Sequence, residues 1–149
     1  MFHFRFDAAL RHRRFLEDQA KRELAEALRR EEARREETAA ARSLRRERRN
    51  EMDQLRLAGV HSGEILQYQA FDERMIREIE QRKRILAEAA GETARCRESV
   101  LSAMKARKML EILEDADRRA HAERLRKEEE KFIGDIAVGR HIRRQRTPR

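Results

Sequence analysis

Few side chains in this sequence are of the types that carry chemistry, and they are widely spaced. The five histidines form no His-x-x-x-His pair and no HExxH motif, which are the spacings that hold zinc on a helix. The lone cysteine, Cys96, falls at a helix-seam spacing, where a small buried thiol is favoured over a nucleophile. No glycine-rich phosphate loop is present. We therefore predict that the protein is not an enzyme and uses no catalytic residue, cofactor or metal ion.

The charged residues are the second place to look for function. The chain has 37 basic and 29 acidic residues, a net charge of +8, and the basic excess lies towards its two ends. Such a balance favours anionic partners, namely nucleic acid, acidic protein surfaces or membrane headgroups. Along the middle of the chain, acids and bases alternate in short blocks, as in the run 29–32, RREE. Alternation of this kind is typical of solvated helix faces.

The elements that position these residues follow from the scarcity of turn formers. Of 149 residues, five are glycine, one is proline and one is asparagine, which excludes barrels, sandwiches and doubly wound sheets. Strong helix formers without a break predict helix one over about 4–58. A turn at 59–63 follows, in which Gly59 takes the left-handed conformation. Helix two is predicted over about 63–133, and a basic tail over 134–149.

The apolar residues of the two predicted helices recur at alternating steps of three and four, which is the pattern of a coiled-coil seam. A short connection makes the helices antiparallel neighbours, so facing residues should have numbers that sum to about 121. The predicted fold is therefore all-α: a single long two-helix antiparallel coiled-coil hairpin over 1–149, with the second helix overhanging. In helix two the seam comprises Met75, Ile79, Leu86, Ala89, Thr93, Cys96, Val100, Ala103 and Leu110, with Arg82 and Arg107 in two further slots. In helix one it comprises Leu10, Ala20, Leu24, Ala27, Leu28, Glu31, Arg34, Thr38, Ala41, Leu44 and Leu55.

Two apolar groups exceed what a narrow seam needs. Phe2, Phe4 and Phe6 either cap the open end of the hairpin against residues 110–113 or insert into another protein. A wider stripe at the start of helix two is either core or a docking patch. That stripe comprises Ile65, Leu66, Tyr68, Phe71, Met75 and Ile76.

No targeting signal is recognised in the sequence. There is no run of 18 apolar residues to span a membrane, and the amino terminus lacks the apolar core of a secretory signal. A single cysteine fits a reducing compartment. These features predict a soluble intracellular protein.

Three segments, in their order and spacing, resemble the FliJ family, the coiled-coil component of the bacterial flagellar type III export apparatus. The first is the opening FHFRFDAALRHRR, and the second is LQYQAF at 66–71, a Tyr-x-x-Phe signature after a glycine-containing turn. The third combines KMLEIL at 108–113 with the tail residues EEEK at 128–131 and DIA at 135–137. The resemblance covers nearly the whole chain.

The resemblance implies a hairpin similar to the stalk subunit of rotary ATPases, seated in the pore of the hexameric flagellar export ATPase. It also implies contact with the cytoplasmic domain of the membrane-embedded export gate and with export chaperones. The implied location is the cytoplasm, peripherally associated with the cytoplasmic face of the membrane at the flagellar base. The ATPase contacts would be made by residues we call the open-end residues: Phe4, Phe6, Arg11, Arg13, Arg14, Arg118, Arg119, Arg124, Arg126 and Lys131. The gate contacts would be made by the mid-hairpin residues, which are Ala41, Leu44, Phe71 and Met75.

Two other functions remain open at this point. An arginine-rich binder of nucleic acid or anionic membrane would explain the net charge, although the interleaved acids and the lack of stacking aromatics beside the arginines oppose it. A generic coiled-coil scaffold, or a component of a related virulence-type secretion system, would have much the same sequence. We expect no specific nucleic-acid partner and no transmembrane segment.

Overall fold

The protein consists of two long α-helices. The computed structural model describes residues 1–59 and 61–146, in which α1 spans Asp7–Leu57 and α2 spans Ser62–Arg146. The helices contain 51 and 85 residues, and no strand occurs among the described residues. The predicted all-α two-helix hairpin is confirmed. Val60 of the predicted turn and Pro148 of the predicted tail lie outside the described residues.

The start of α1 differs from the prediction by a few residues. The helix begins at Asp7 rather than near Phe4, because residues 5 and 6 form a turn in which the Asp7 amide donates to the Phe4 carbonyl oxygen (3.2 Å). The Asp7 carboxylate lies in the first helical turn, where it complements the positive end of the helix dipole.

The connection between the helices is built on Gly59, as predicted. Its φ of 75° is the only positive φ among the described residues, and its amide donates to the Arg56 carbonyl oxygen (3.3 Å). A side chain in this conformation costs about 1–2 kcal/mol, so glycine closes α1 here at the lowest cost. Glu64 lies in the first turn of α2, where its charge suits the dipole.

The end of α2 corrects the sequence analysis. The helix does not stop near Ile133, and 134–146 is not a released tail, because α2 continues to Arg146 through Gly134 and Gly139. A glycine inside a helix costs about 1 kcal/mol relative to alanine, which the helix formers around each glycine offset. Arg143, Arg144 and Arg146 in the last turn complement the negative end of the dipole.

The contacts within the chain group its residues into two units. Unit 1 combines residues 1–16 with 103–149, and unit 2 spans 17–102. Each is described by itself, and the described part of unit 1 ends at Arg146.

In unit 2 the two helical segments run antiparallel. The side chain of Arg82 donates to the Glu37 carbonyl oxygen (3.2 Å), the Tyr68 hydroxyl donates to Glu51 Oε2 (3.2 Å), and Arg45 pairs with Asp72. The numbers of each pair sum to a value close to the predicted 121. The core cluster consists of Ala41, Met75 and Ile79, with Phe71 packed against it.

The predicted seam is confirmed in α2 and partly wrong in α1. Every predicted seam residue of α2 is buried or half-buried. In α1, Ala27, Thr38 and Ala41 are buried, but Leu28, Arg34 and Leu44 are exposed. Two buried α1 residues, Glu17 and Met52, were not predicted. The weak apolar periodicity of α1 explains the errors, because charged residues occupy many slots of its seam.

In unit 1 the first residues of the chain pack along α2 as far as His121. The Phe2 ring lies 5.6 Å from the His121 ring, and Arg14 Nη2 lies 3.3 Å from Glu111 Oε1. The aromatic start thus packs partly further along α2 than the predicted 110–113, where Ile112 is largely exposed. Among described residues, no helix has the length and apolarity needed to cross a membrane.

Candidate protein-interaction surfaces

The groups that could hold a metal ion are scattered in the structure as in the sequence. Among residues 1–59 and 61–146, no three or more His, Cys, Asp or Glu side chains come together in such a group. Cys96 is a free thiol, half-buried at its predicted seam position. We therefore looked for function on surfaces that could meet another molecule.

The aromatic open-end residues have different surroundings. Phe4 is buried, and its ring meets the Phe6 ring edge-on at a centroid distance of 5.8 Å. Phe6 remains exposed, with the Arg5 guanidinium 5.3 Å from its ring centre. On Phe2, the Arg118 guanidinium lies 5.5 Å from the ring centre. Phe4 therefore fixes the start of the chain, whereas Phe6 is available to a partner.

The eight cationic open-end residues divide into two equal groups. Those in the first group are held by acids of the same unit: Arg11 by Asp7 (3.2 Å), Arg14 by Glu111 (3.3 Å), Arg118 by Glu114 (3.0 Å) and Arg126 by Glu123 (2.8 Å) and Glu130 (2.9 Å). The hydrogen bond to Glu123 raises the pKa of Arg126 above its ordinary value. The second group makes no ion pair with any described residue, and it comprises Arg13, Arg119, Arg124 and Lys131. These four cations can meet an anionic partner without first losing an acid.

Beyond His121, α2 has no neighbouring helix within unit 1, and we call residues 122–146 the overhang. Every overhang residue except Gly139 is exposed. Its large apolar side chains include Phe132 and Ile133, which are 67% and 65% exposed. Leu125, Ile136, Val138 and Ile142 are exposed as well. Sequence reasoning missed these residues because it treated the segment after Ile133 as a non-helical tail.

The mid-hairpin residues are mostly core residues of unit 2. Ala41 and Met75 are buried, Phe71 is half-buried against them, and Leu44 is exposed. In the stripe at the start of α2, Leu66 and Ile76 are exposed, whereas Ile65 and Tyr68 are half-buried. A partner at this stretch would therefore touch Leu44 and the edge of Phe71 rather than Ala41 or Met75.

Polar contacts between the helices flank this core. Arg45 Nε donates to Asp72 Oδ1 (2.8 Å) and Arg45 Nη2 to Asp72 Oδ2 (3.3 Å), which is a two-pronged pair. The hydrogen bond from Arg45 holds the pKa of Asp72 below its ordinary value, and the charges of Arg45 and Arg49 act in the same direction. Burial raises the pKa of Tyr68, as does its hydrogen bond to Glu51.

Comparison with known proteins gives one match. The family described as Flagellar FliJ protein matches residues 2–146, which is nearly the whole chain. No curated protein and no solved structure matches the chain.

Proposed function

Because the chain belongs to the FliJ family, and is therefore a component of the flagellar export apparatus, we propose that it is the central stalk of the export ATPase ring. In this proposal it also links the ring to the export gate and to export chaperones during flagellum assembly. Members of the family are non-catalytic components of flagellar, type III protein export.

The overhang is the observation that supports a stalk most strongly. It extends α2 by about 25 residues past His121, or ~38 Å at ~1.5 Å per residue. A single exposed helix of that length can enter a narrow pore that would exclude a globular domain. Its exposed apolar residues, above all Phe132 and Ile133, gain burial only when another molecule covers them.

The charge of the same unit favours approach to an acidic pore. Arg13, Arg119, Arg124 and Lys131 have no acid partner among the described residues, and Arg140 and Arg146 extend the basic character towards the end of α2. Exposed cations of this kind raise the association rate and set orientation more than they raise affinity.

The links to the export gate and to the chaperones rest on unit 2. Leu44 and the edge of Phe71 supply a small apolar surface beside the Tyr-x-x-Phe signature. Contact with the cytoplasmic domain of the gate would place the chain at the cytoplasmic face of the membrane without a membrane-spanning helix of its own.

The test is stimulation of the cognate export ATPase by the purified chain. We expect wild-type protein to raise ATP hydrolysis and to promote the hexameric ring. The double variant Phe132→Ser/Ile136→Ser should lose most of the stimulation, because two exposed apolar side chains of the overhang are removed.

The matched control replaces two exposed apolar residues of unit 2, as Leu57→Ser/Leu101→Ser, and should stimulate like wild type. If wild-type protein has no effect on the ATPase, the stalk function is wrong. Equal loss in both double variants would show that the overhang is not the ATPase-binding segment.

A further inference from the structure

One face of α1 in unit 2 carries arginines that acids do not balance. Arg42, Arg45, Arg46 and Arg49 are spaced i, i+3, i+4 and i+7, so they lie on the same side of the helix. Together with Lys83 of α2 they line a groove of about 520 Å³ whose floor includes Ile79. We call these five cations the basic groove. Its α1 part spans ~10 Å along the helix.

The surroundings of the groove neutralise it only in part. Arg45 is paired with Asp72, Lys83 lies 4.0 Å from Glu80, and Arg46 donates to the Ser43 hydroxyl (3.2 Å). Arg42 and Arg49 are exposed and make no ion pair with any described residue. Elsewhere in unit 2 the exposed arginines are commonly held by an acid three or four positions away, as Arg35 is by Glu31 and Glu32.

The groove already contains an example of the ligand chemistry that suits it. Arg45 grips the Asp72 carboxylate with two nitrogen atoms, in the planar geometry that arginine offers to carboxylates. Arg42 and Arg49 flank Arg45 at one turn on either side, and their guanidinium groups are free to do the same. Further carboxylates spaced along a chain would therefore find two equivalent partners.

We propose that the basic groove binds an extended acidic peptide segment of a partner protein. A single phosphate would engage only part of a groove spanning ~10 Å, whereas carboxylates on alternate residues of an extended chain recur every ~7 Å. The Ile79 floor accepts small apolar side chains between the acids. Aromatic residues that would stack nucleic-acid bases do not line the groove. The groove residues include none of the open-end residues, so the inference is independent of the stalk function.

The experiment measures binding of a fluorescein-labelled peptide of about ten residues in which glutamate alternates with alanine, a length that covers the ~10 Å stripe with a margin. The control probe replaces every glutamate with glutamine. Single-stranded DNA and inorganic polyphosphate serve as competing anions. We expect the glutamate peptide to bind, the glutamine peptide not to bind, and affinity to fall with added salt.

The variant Arg42→Gln/Arg49→Gln should weaken peptide binding about tenfold, because each lost exposed charge pair contributes modestly and two are lost. The matched control Arg22→Gln/Arg97→Gln changes the net charge equally at exposed positions of unit 2 outside the groove, and should change affinity less than about twofold. Both variants should keep wild-type helix content, since none of the four side chains is buried or ion-paired in the described structure.

Three results would overturn the proposal. They are wild-type affinity in Arg42→Gln/Arg49→Gln, equal weakening in the control variant, or tighter binding of DNA or polyphosphate than of the glutamate peptide. Because the readout is peptide binding, it stays informative whether or not the chain stimulates the ATPase.

Discussion

Two stretches of α2 have the same backbone conformation and different surroundings. Between residues 75 and 100 the helix faces α1, and Met75, Ile79, Thr93 and Val100 are buried. In the overhang, 122–146, the helix has apolar residues at similar density, but none of them is buried. Helix formation follows from local propensity in both stretches, whereas burial requires a second helix.

This difference separates the residues that stabilise the fold from those available to a partner. Side chains in the paired stretch contribute hydrophobic free energy to folding, since they leave water when α1 packs on them. Those of the overhang contribute little until another molecule covers them. The same residue type should therefore give opposite phenotypes in the two stretches.

The largest expected effect comes from shortening an isoleucine in each stretch. Ile79→Ala removes a side chain that is 7% exposed in the core cluster and should lower the free energy of unfolding by about 2–3 kcal/mol. Ile136→Ala, at an exposed site of the overhang, should change it by less than about 0.5 kcal/mol. Urea unfolding followed by circular dichroism measures both, and equal destabilisation would contradict the distinction.

A smaller effect is expected from the ion pair between the helices. Asp72→Asn should cost about 1 kcal/mol at neutral pH, because the two-pronged contact with Arg45 loses its charge. The folded-state pKa of Asp72 lies below the ordinary value of 3.8. Its contribution is therefore fully present above that value and is lost as the pH falls through the lowered folded-state pKa.

Thermal unfolding of wild type and Asp72→Asn between neutral and acidic pH checks this sign. The difference between the two proteins should be constant near neutrality and disappear in strong acid. Glu128→Gln, an exposed acid of the overhang, is the control and should unfold like wild type at every pH. A difference between wild type and Asp72→Asn that grew in acid would contradict the assignment.

The smallest effect is expected from the glycines of α2. Gly91→Ala should stabilise the fold by at most about 1 kcal/mol, since the new Cβ makes only an ordinary contact with Arg95 Nη1 (3.8 Å). Gly134→Ala/Gly139→Ala meets open space and should raise helix content without moving the unfolding midpoint. A shift of the midpoint by this double variant would show that the overhang is coupled to the core.

The fold could be predicted from the sequence where the sequence carries strong local signals. Helix-forming composition, one left-handed glycine at Gly59 and a regular seam in α2 fixed the class, the turn and the register. The exposed Leu28 and Leu44 could not be distinguished from seam residues, because α1 places apolar and charged residues in similar slots. Gly134 and Gly139 misled the prediction of the helix end, since a glycine breaks a helix only where no longer run of helix formers continues past it.

The interaction surfaces were less predictable than the fold. The ten open-end residues could be named from the sequence resemblance, but which cations are held by Asp7, Glu111, Glu114 or Glu123 depends on side-chain geometry. The basic groove was hidden because counting charges over 1–58 averages the stripe from Arg42 to Arg49 with the balanced blocks before it. Its spacing of i, i+3, i+4 and i+7 was nevertheless readable in the sequence.

Hydrogen exchange of the free chain and of its complex with the export ATPase tests most directly whether the overhang is the unpaired, partner-binding part of α2. In the free chain, amides of 122–146 should exchange faster than those of 75–100. On ATPase binding, the overhang should become protected while 75–100 changes little. An overhang already as protected as 75–100 in the free chain, or one left unprotected in the complex, would contradict this assignment.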